Sequence, residues 1–454
     1  MASGDFSPNK KSGIAAADAA SARTAVSKMS WRILPLLGAG YLVAYMDRVN
    51  VSFAALQMNA DLGFSATIYG LGGGLFFLAY ALFEIPSNVF LARFGARRWL
   101  ARIMLSWGVL ATEMMTVRTP MEFYVLRFLL GAAEAGFFPG AIFYLAHWFP
   151  CLVRGRAISR FYMTGALASI VMGAVSPKLL ALDGLQGLAG WQWLFLAQGT
   201  PAVIVGLLIL WLLPDAPESA RWLNEGEKAW VARCLEGDAL AIGDPPTHGL
   251  LAALRHPQVW RLGLFGFLTI GAFMTLSLST PQLLKEATGW TTANVGWLTS
   301  LGGGAGAIGM LMGGAVSDRR GERFSTMLAS IVAVTISYLV LALYLVGHPF
   351  IVATVFLFFH FVWTSVTLGS VMLWPDLLPR RMLAVGAAAI NTISQTGAFV
   401  MPFAWGAMRD LTGSFHAGLL GLSGASGVAI AIALASRAEA RRARRTVVLG
   451  VATT

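Results

Sequence analysis

Charge is what this chain has least of. Asp, Glu, Lys and Arg make up 12% of its 454 residues, about half the share of a soluble domain. Hydrophobic residues make up 57% and the mean hydropathy is +0.68. That balance excludes an ordinary water-soluble surface and points to a polytopic α-helical membrane protein. Cysteine is nearly missing as well: Cys151 and Cys234 are the only two, too few for a disulfide framework or a thiolate metal site. The six histidines are scattered, with no HExxH and no pair at helical spacing. No metal and no cofactor is expected, and no nucleophile–base pair suggests an enzyme. Residues 1–30 have no apolar stretch of their own. They do not read as a secretory signal, so the run that starts near Trp31 is expected to be a retained span.

What is present is a series of twelve apolar runs between residues 31 and 436, each about long enough to cross a bilayer. One of them covers 121–147. An even number puts both termini on one side. The basic residues then sort cleanly: 27 of the 33 Lys and Arg fall on the side of the termini, and only Arg118, Lys178, Lys285 and Arg409 on the other. The positive-inside rule makes the basic side cytoplasmic, the expected location being the plasma (bacterial inner) membrane. The net charge of +11 thus sets topology and meets anionic lipid. No basic stretch carries stacking aromatics or a groove-reading motif, so no nucleic acid is expected.

The expected layout is a cytoplasmic tail at 1–30, a six-helix bundle at 31–213, a polar cytoplasmic segment at 214–258, a second six-helix bundle at 259–436 and a basic tail at 437–454. Within the central segment, WLNEGEKAWVARCLEG suggests a short amphipathic helix at the membrane surface. The halves echo each other. NVFLARFGARR (88–98) follows the second run and GAVSDRRGER (314–323) the eighth. Both fit G-x-x-x-D-R-x-G-x-R/K. Gly314, Asp318, Arg319, Gly321 and Arg323 all match, and so do Arg93, Gly95 and Arg97 in the first copy, where Asn88 and Ala92 replace the Gly and the acid. Two pseudo-symmetric six-helix bundles make a known transporter architecture.

The loop pattern resembles the signature of the major facilitator superfamily. YMDRVN (45–50), FEIPSN (83–88), RFLLGAAEAGFFPG (127–140), HWFP (147–150) and GWQWLF (190–195) together resemble one branch of it, the anion:cation symporter family of organic-anion permeases. The resemblance runs from about residue 30 to 436. It implies an all-α fold of twelve transmembrane helices, a monomer, and loops at Arg93–Arg97 and Gly314–Arg323 that gate the pathway. The missing acid at Ala92 leaves open how the first loop latches.

Four charges stand deep in apolar runs: Asp47, Arg48, Arg127 and Glu134. Each is expensive there. Arg127 and Glu134 are seven residues apart, so on one helix they share a face two turns apart. Gly131 and Gly136 leave room beside them for a helix or a ligand. An ion-pair network that serves only structure is a poor explanation, since apolar residues of the same shape stabilise as well. Two Arg and two carboxylates sum to zero. An entering carboxylate unbalances that sum in a low-dielectric site, and a proton on Asp47 or Glu134 restores it. Anion and proton then bind with positive coupling, which is symport stated as linkage. The resemblance assigns proton coupling to the acids and anion contact to the arginines. Arg48 is expected to meet the substrate carboxylate, with Arg127 either helping or holding Glu134.

The resemblance also turns Tyr45 and Tyr80 toward the cavity. On the eleventh run, Asn391 and Gln395 share a face and serve either as inter-helix glue or as a grip on substrate oxygens. Trp374 either walls the pocket or belongs to an interfacial belt, and His360 reads as core. Glu84 is expected to pair with a loop arginine. GAGAIG (304–309) satisfies G-x-G-x-x-G but has no strand before it, which excludes a dinucleotide fold. The expected function is import of a small organic anion by proton symport with alternating access. The alternatives are a uniporter or a carrier coupled to another ion. A drug:proton antiporter is disfavoured because the fifth run, MTGALASIVMGAVSP (163–177), has no Gly-Pro or Gly-Gly. A sugar facilitator has no use for deep arginines.

Overall fold

The computed structural model describes the backbone of residues 8–242, 254–320, 323–378 and 382–451, and the side chains of 21–238, 254–317, 319, 324–367, 369, 370, 378, 382 and 385–438. The chain is helical along almost all of that length, and no strand occurs among the described residues. The helices are α1 (Pro8–Asp61), α2 (Ala66–Phe94), α3 (Ala96–Glu113), α4 (Pro120–Glu134), α5 (Phe137–Trp148), α6 (Cys151–Leu180), α7 (Gly190–Leu212) and α8 (Glu225–Ile242). They continue with α9 (Pro257–Thr288), α10 (Thr292–Arg320), α11 (Arg323–Leu343), α12 (Pro349–Leu377), α13 (Leu383–Thr412) and α14 (His416–Val451).

Counting α4 and α5 together, nine segments among the described residues are long and apolar enough to cross a membrane by length and composition. The other three expected spans are α1, α3 and α13. α1 carries Asp47 and Arg48, α3 opens on Arg97 and Arg98, and α13 contains Asn391 and Gln395. Their polar residues lower their hydropathy.

Two further differences from expectation are informative. Residues of the anticipated polar tail continue α1 as one helix from Pro8. Their composition is rich in Ala, the strongest helix former. The run at 121–147 is two helices, because Ala135 and Gly136 interrupt it. Gly136 has φ +89°, a conformation that disfavours any residue with a Cβ.

Buried apolar side chains gather into one core between Ala25 and Val231, joined by Leu278 and Ala398, and a second between Phe265 and Ala433. A small third cluster around Val259, Leu378 and Ile390 lies at the start of α9 and α13. The end of the molecule that holds the termini and the central segment is called basal here, and the opposite end distal. The halves meet closely at the distal end. A Cβ on Gly70 or Gly74 of α2 would collide with the carbonyls of Pro402 or Phe399 on α13, and one on Gly173 of α6 would meet the Gly296 carbonyl of α10. Tyr69 donates to the Leu278 carbonyl at 2.8 Å and Gln282 to that of Ala55 at 3.1 Å. Asp410 reaches from α13 to the start of α2, where its two carboxylate oxygens accept from Ala66 N at 3.0 Å and Thr67 N at 2.8 Å. Those amides have no partner within their own helix, and the negative charge suits the positive end of the helix.

The central segment is fastened to the first bundle. Lys28 pairs with Glu227 at 2.8 Å, Arg97 with Asp215 at 2.9 Å and Arg154 with Asp238 at 3.0 Å. Asn224 and Glu227 cap α8 reciprocally, each side chain accepting from the other's backbone N–H. Trp222 stacks on Trp148 with centroids 5.6 Å apart. The amphipathic helix therefore buries its inner face, Glu227 and Val231 included, against protein. Burial of the Glu227 carboxylate works to raise its pKa. Donors on Lys28, the Asn224 backbone and Thr24 outweigh that and hold it below the usual carboxylate value.

Two outcomes are expected. Asp410→Ala removes both acceptors from the start of α2, and amide exchange at Ala66 and Thr67 rises roughly fivefold, as for loss of a helix cap worth about 1 kcal/mol. Hydrogen-exchange mass spectrometry reads it. A depressed carboxylate stabilises above its unfolded pKa and ceases to as pH falls through the folded value. Glu227→Gln therefore loosens α8 at neutral pH, and the difference from wild type vanishes as pH drops below about 4.3. Proteolysis rates of α8 across that range check it.

Candidate functional site

Asp47 and Arg48 are neighbours on α1, so their side chains leave the helix about 100° apart. Each meets a different level of α4. Arg48 Nη2 donates to Glu134 Oε1 at 2.8 Å, while Arg127 Nη1 lies 3.9 Å from Asp47 Oδ2. The two acids and two bases are thus cross-paired between helices. Arg127 holds Asp47, which corrects the expectation that it might hold Glu134. The reason is geometric: Arg127 stands two turns from Glu134 along α4, and only Asp47 comes within its reach at that level.

The pairs differ in openness. Arg127 and Asp47 have side chains 2% exposed, whereas Arg48 is 17% exposed beside a 2% exposed Glu134. Both pairs leave hydrogen-bonding capacity unused. Asp47 Oδ2, Glu134 Oε2, Arg48 Nε and Arg127 Nε are buried without a hydrogen-bond partner among the described residues. A separation of 3.9 Å is an ionic contact, not a hydrogen bond.

Aromatic rings complete the surroundings of Arg48. Its guanidinium carbon lies 5.1 Å from the Tyr45 ring centroid, 5.4 Å from Tyr80 and 5.7 Å from Phe76. Arg127 lies 4.7 Å from Phe76 as well. Such contacts help hold a guanidinium where water is scarce. The sequence reading placed Tyr45 and Tyr80 here and missed Phe76. The signal was available, since Phe76, Tyr80 and Glu84 recur every four residues on α2 and so share one face. Gly131 of α4 lets the α2 backbone approach at Phe76, and Gly136 packs on Ser87. The small residues flanking Glu134 therefore admit a helix.

The second half contributes less. Asn391 Nδ2 donates to Glu84 Oε2 at 3.0 Å, so Glu84 pairs across the halves and not with a loop arginine as expected. Gln395 is half-buried and its Oε1 has no partner among the described residues. The Trp374 side chain lies outside the described residues. His360 is half-buried against the rings of Phe273, Phe356 and Phe359, with Nδ1 3.0 Å from the Phe356 carbonyl.

In the loops, Gly95 ends α2 with φ +87° and Arg93 faces the Phe94 ring at 5.7 Å. Arg97 takes its acid, Asp215, from the central segment. That segment supplies a carboxylate beside a loop whose own acidic position is Ala92. Gly314 is half-buried and Arg319 exposed near the basal end of α10. The side chains of Asp318 and Arg323, and Gly321 itself, lie outside the described residues.

Residues 37–402 match the model of the Major Facilitator Superfamily. The chain belongs to that family, and it is a multi-pass membrane transporter, not an enzyme. It is 40% identical over 401 residues to a putative tartrate transporter of Agrobacterium vitis, covering 87% of this chain and 91% of the relative. It is 39% identical to the putative metabolite transport protein NicT of Pseudomonas putida, covering 87% and 90%. A quinolone resistance transporter of Acinetobacter baumannii is 36% identical, covering 88% and 91%. The inward-open xylose transporter XylE of E. coli shares the fold, with a TM-score of 0.72 at 13% identity over 90% of this chain and 95% of that one.

Removing one member of a buried pair leaves a stranded charge, which typically destabilises by about 3–5 kcal/mol. Arg127→Leu is expected to lower the thermal midpoint in detergent sharply, and Asp47→Asn in the same chain to restore most of it. Arg48→Leu, at the more open pair, costs less. A thermal-shift series on the four proteins checks the order.

Proposed function

We propose that this transporter carries a small organic anion together with a proton, by alternating access. The observation that carries the reading is the cross-paired cluster: two arginines and two carboxylates of zero net charge, with unpartnered polar atoms on all four and one arginine more open than the other. Arg48 meets the substrate carboxylate between Tyr45 and Tyr80. Its bond to Glu134 is then shared with the anion, and the excess negative charge is relieved by a proton on Glu134 or Asp47. Arg127 keeps Asp47 in place and extends the positive field. Asn391, Gln395 and Trp374 of the second half are assigned to the substrate's remaining groups, and Arg93, Gly95, Arg97, Gly314, Asp318, Arg319, Gly321 and Arg323 to the basal gating loops. The relative named for tartrate supports a hydroxy acid as substrate class. The basic basal end is cytoplasmic by the positive-inside rule, with both termini inside a bacterial inner membrane, and the protein works as a monomer.

Proteoliposomes that enclose a pH-sensitive dye test the reading. A panel of carboxylates, tartrate included, is added outside, with protein-free liposomes as the control for leak of neutral acids. The expected result is lumenal acidification by one acid, abolished in Arg48→Ala, and loss of pH-driven accumulation in Glu134→Gln. Uptake of that anion without acidification would make the protein a uniporter or couple it to another ion. Asp47 and Glu134 would then be structural. A second reading, drug export in exchange for protons, draws on the A. baumannii relative. It predicts acidification of the side from which a quinolone is removed and alkalinisation of the side that receives it.

A further inference from the structure

At the distal end the halves meet at Gly70, Gly74 and Gly173, and the basal side is the other approach to the cluster. On that side stands one cross-bundle contact between side chains that the proposed mechanism does not use. Asn391 of α13 donates its amide to Glu84 of α2 at 3.0 Å. Glu84 sits one turn basal to Tyr80, whose ring covers Arg48. It is a carboxylate on the approach to a site proposed to bind a carboxylate, and it occupies the Asn391 amide. An extra negative charge there repels an anion, so its presence needs a reason.

We infer that Glu84 is a stand-in for the substrate: its carboxylate holds the Asn391 amide while the site is empty and yields it to the carboxylate or hydroxyl of the incoming anion. This rests on the reading that the cluster binds a carboxylate. The exchange satisfies Asn391 in both states, so α13 never carries an unpaired half-buried amide. It also makes Glu84 a specificity-determining residue. A solute that offers no acceptor oxygen at that point cannot displace it and leaves the two bundles bridged by Glu84 and Asn391. A suitable anion frees α2 from α13 on the basal side as it binds.

The test is a double-mutant cycle on substrate affinity. Purified wild type, Arg48→Ala, Glu84→Ala, Asn391→Ala and Glu84→Ala/Asn391→Ala are titrated with a panel of hydroxy-dicarboxylates, sugar acids and aromatic acids, tartrate included, by tryptophan fluorescence. The probe is whichever acid gives a saturable response that Arg48→Ala removes. Glu84→Ala is expected to bind that acid about fivefold more tightly, the worth of one net hydrogen bond no longer exchanged. Asn391→Ala is expected to weaken binding several-fold more in the Glu84→Ala background than in the wild type, because only in the wild type does it also release Glu84. An equal loss in both backgrounds would mean that Glu84 acts through charge alone and would overturn the exchange. Unchanged or weaker binding in Glu84→Ala would overturn it as well. If Glu84→Ala does not fold, Glu84→Met, which keeps the length and lacks the acceptor, runs the same cycle. If no acid binds, or if Arg48→Ala binds like wild type, the organic-anion reading itself falls and takes this inference with it.

Discussion

Everything in the first bundle is arranged around the pairing of Asp47 and Arg48 on α1 with Arg127 and Glu134 on α4. Four ionised groups in an apolar bundle persist only if each has a partner, and the partners sit on different helices. α1 and α4 are therefore fixed in rotation relative to each other, because a turn of either helix strands a charge. The close approach of α4 to α2 at Gly131 follows, since Phe76 must reach both guanidiniums. The break at Ala135–Gly136 comes directly after Glu134. It ends α4 where the carboxylate must point at Arg48 and lets α5 leave along another direction. Fold and site are here one problem with one solution.

The same pairing supplies the electrical logic of the proposed transport. The cluster is neutral when empty, so it is stable enough to exist. It keeps unused donors and acceptors, so it can take in another charged group. Arg127 and Asp47, the deeper pair, act as an anchor. Arg48 and Glu134 are the more open pair, the one that changes partners in the proposed cycle. That asymmetry arises from the one-residue step along α1, which sends the two side chains to different depths of α4. A site with both pairs equally buried would hold together well and bind nothing.

Much of this was legible in the sequence, for physical reasons that can be named. A charge in an apolar run is conspicuous, so Asp47, Arg48, Arg127 and Glu134 stood out at once, as did the repeat of the loop motif and the sorting of Lys and Arg. The pairing was not legible. Which acid meets which base depends on helix rotation, and sequence spacing fixes that only within a helix. For the same reason Glu84 was given a loop arginine when its partner, Asn391, is 307 residues away on the other half. The helical start of α1 was overlooked because residues 8–30 show helix propensity without an apolar stripe. The docking of α8 onto protein was missed because an amphipathic face does not announce whether it will meet lipid or another helix.

The distal contact between α2 and α13 has a mechanical meaning. At Gly70 and Gly74 the α2 surface has no side chain of its own and meets the carbonyls of Pro402 and Phe399 on α13, so little there can swing aside. Such a joint has almost no compliance. It cannot be thinned or leaked through by rotamer changes, and small thermal motions of side chains leave it shut. It parts only when one whole bundle tilts against the other, breaking the Asp410 cap and the Tyr69 hydrogen bond in the same movement. In the proposed alternating-access cycle such a barrier behaves as a switch with two positions, and it makes a molecule open at both ends a costly state.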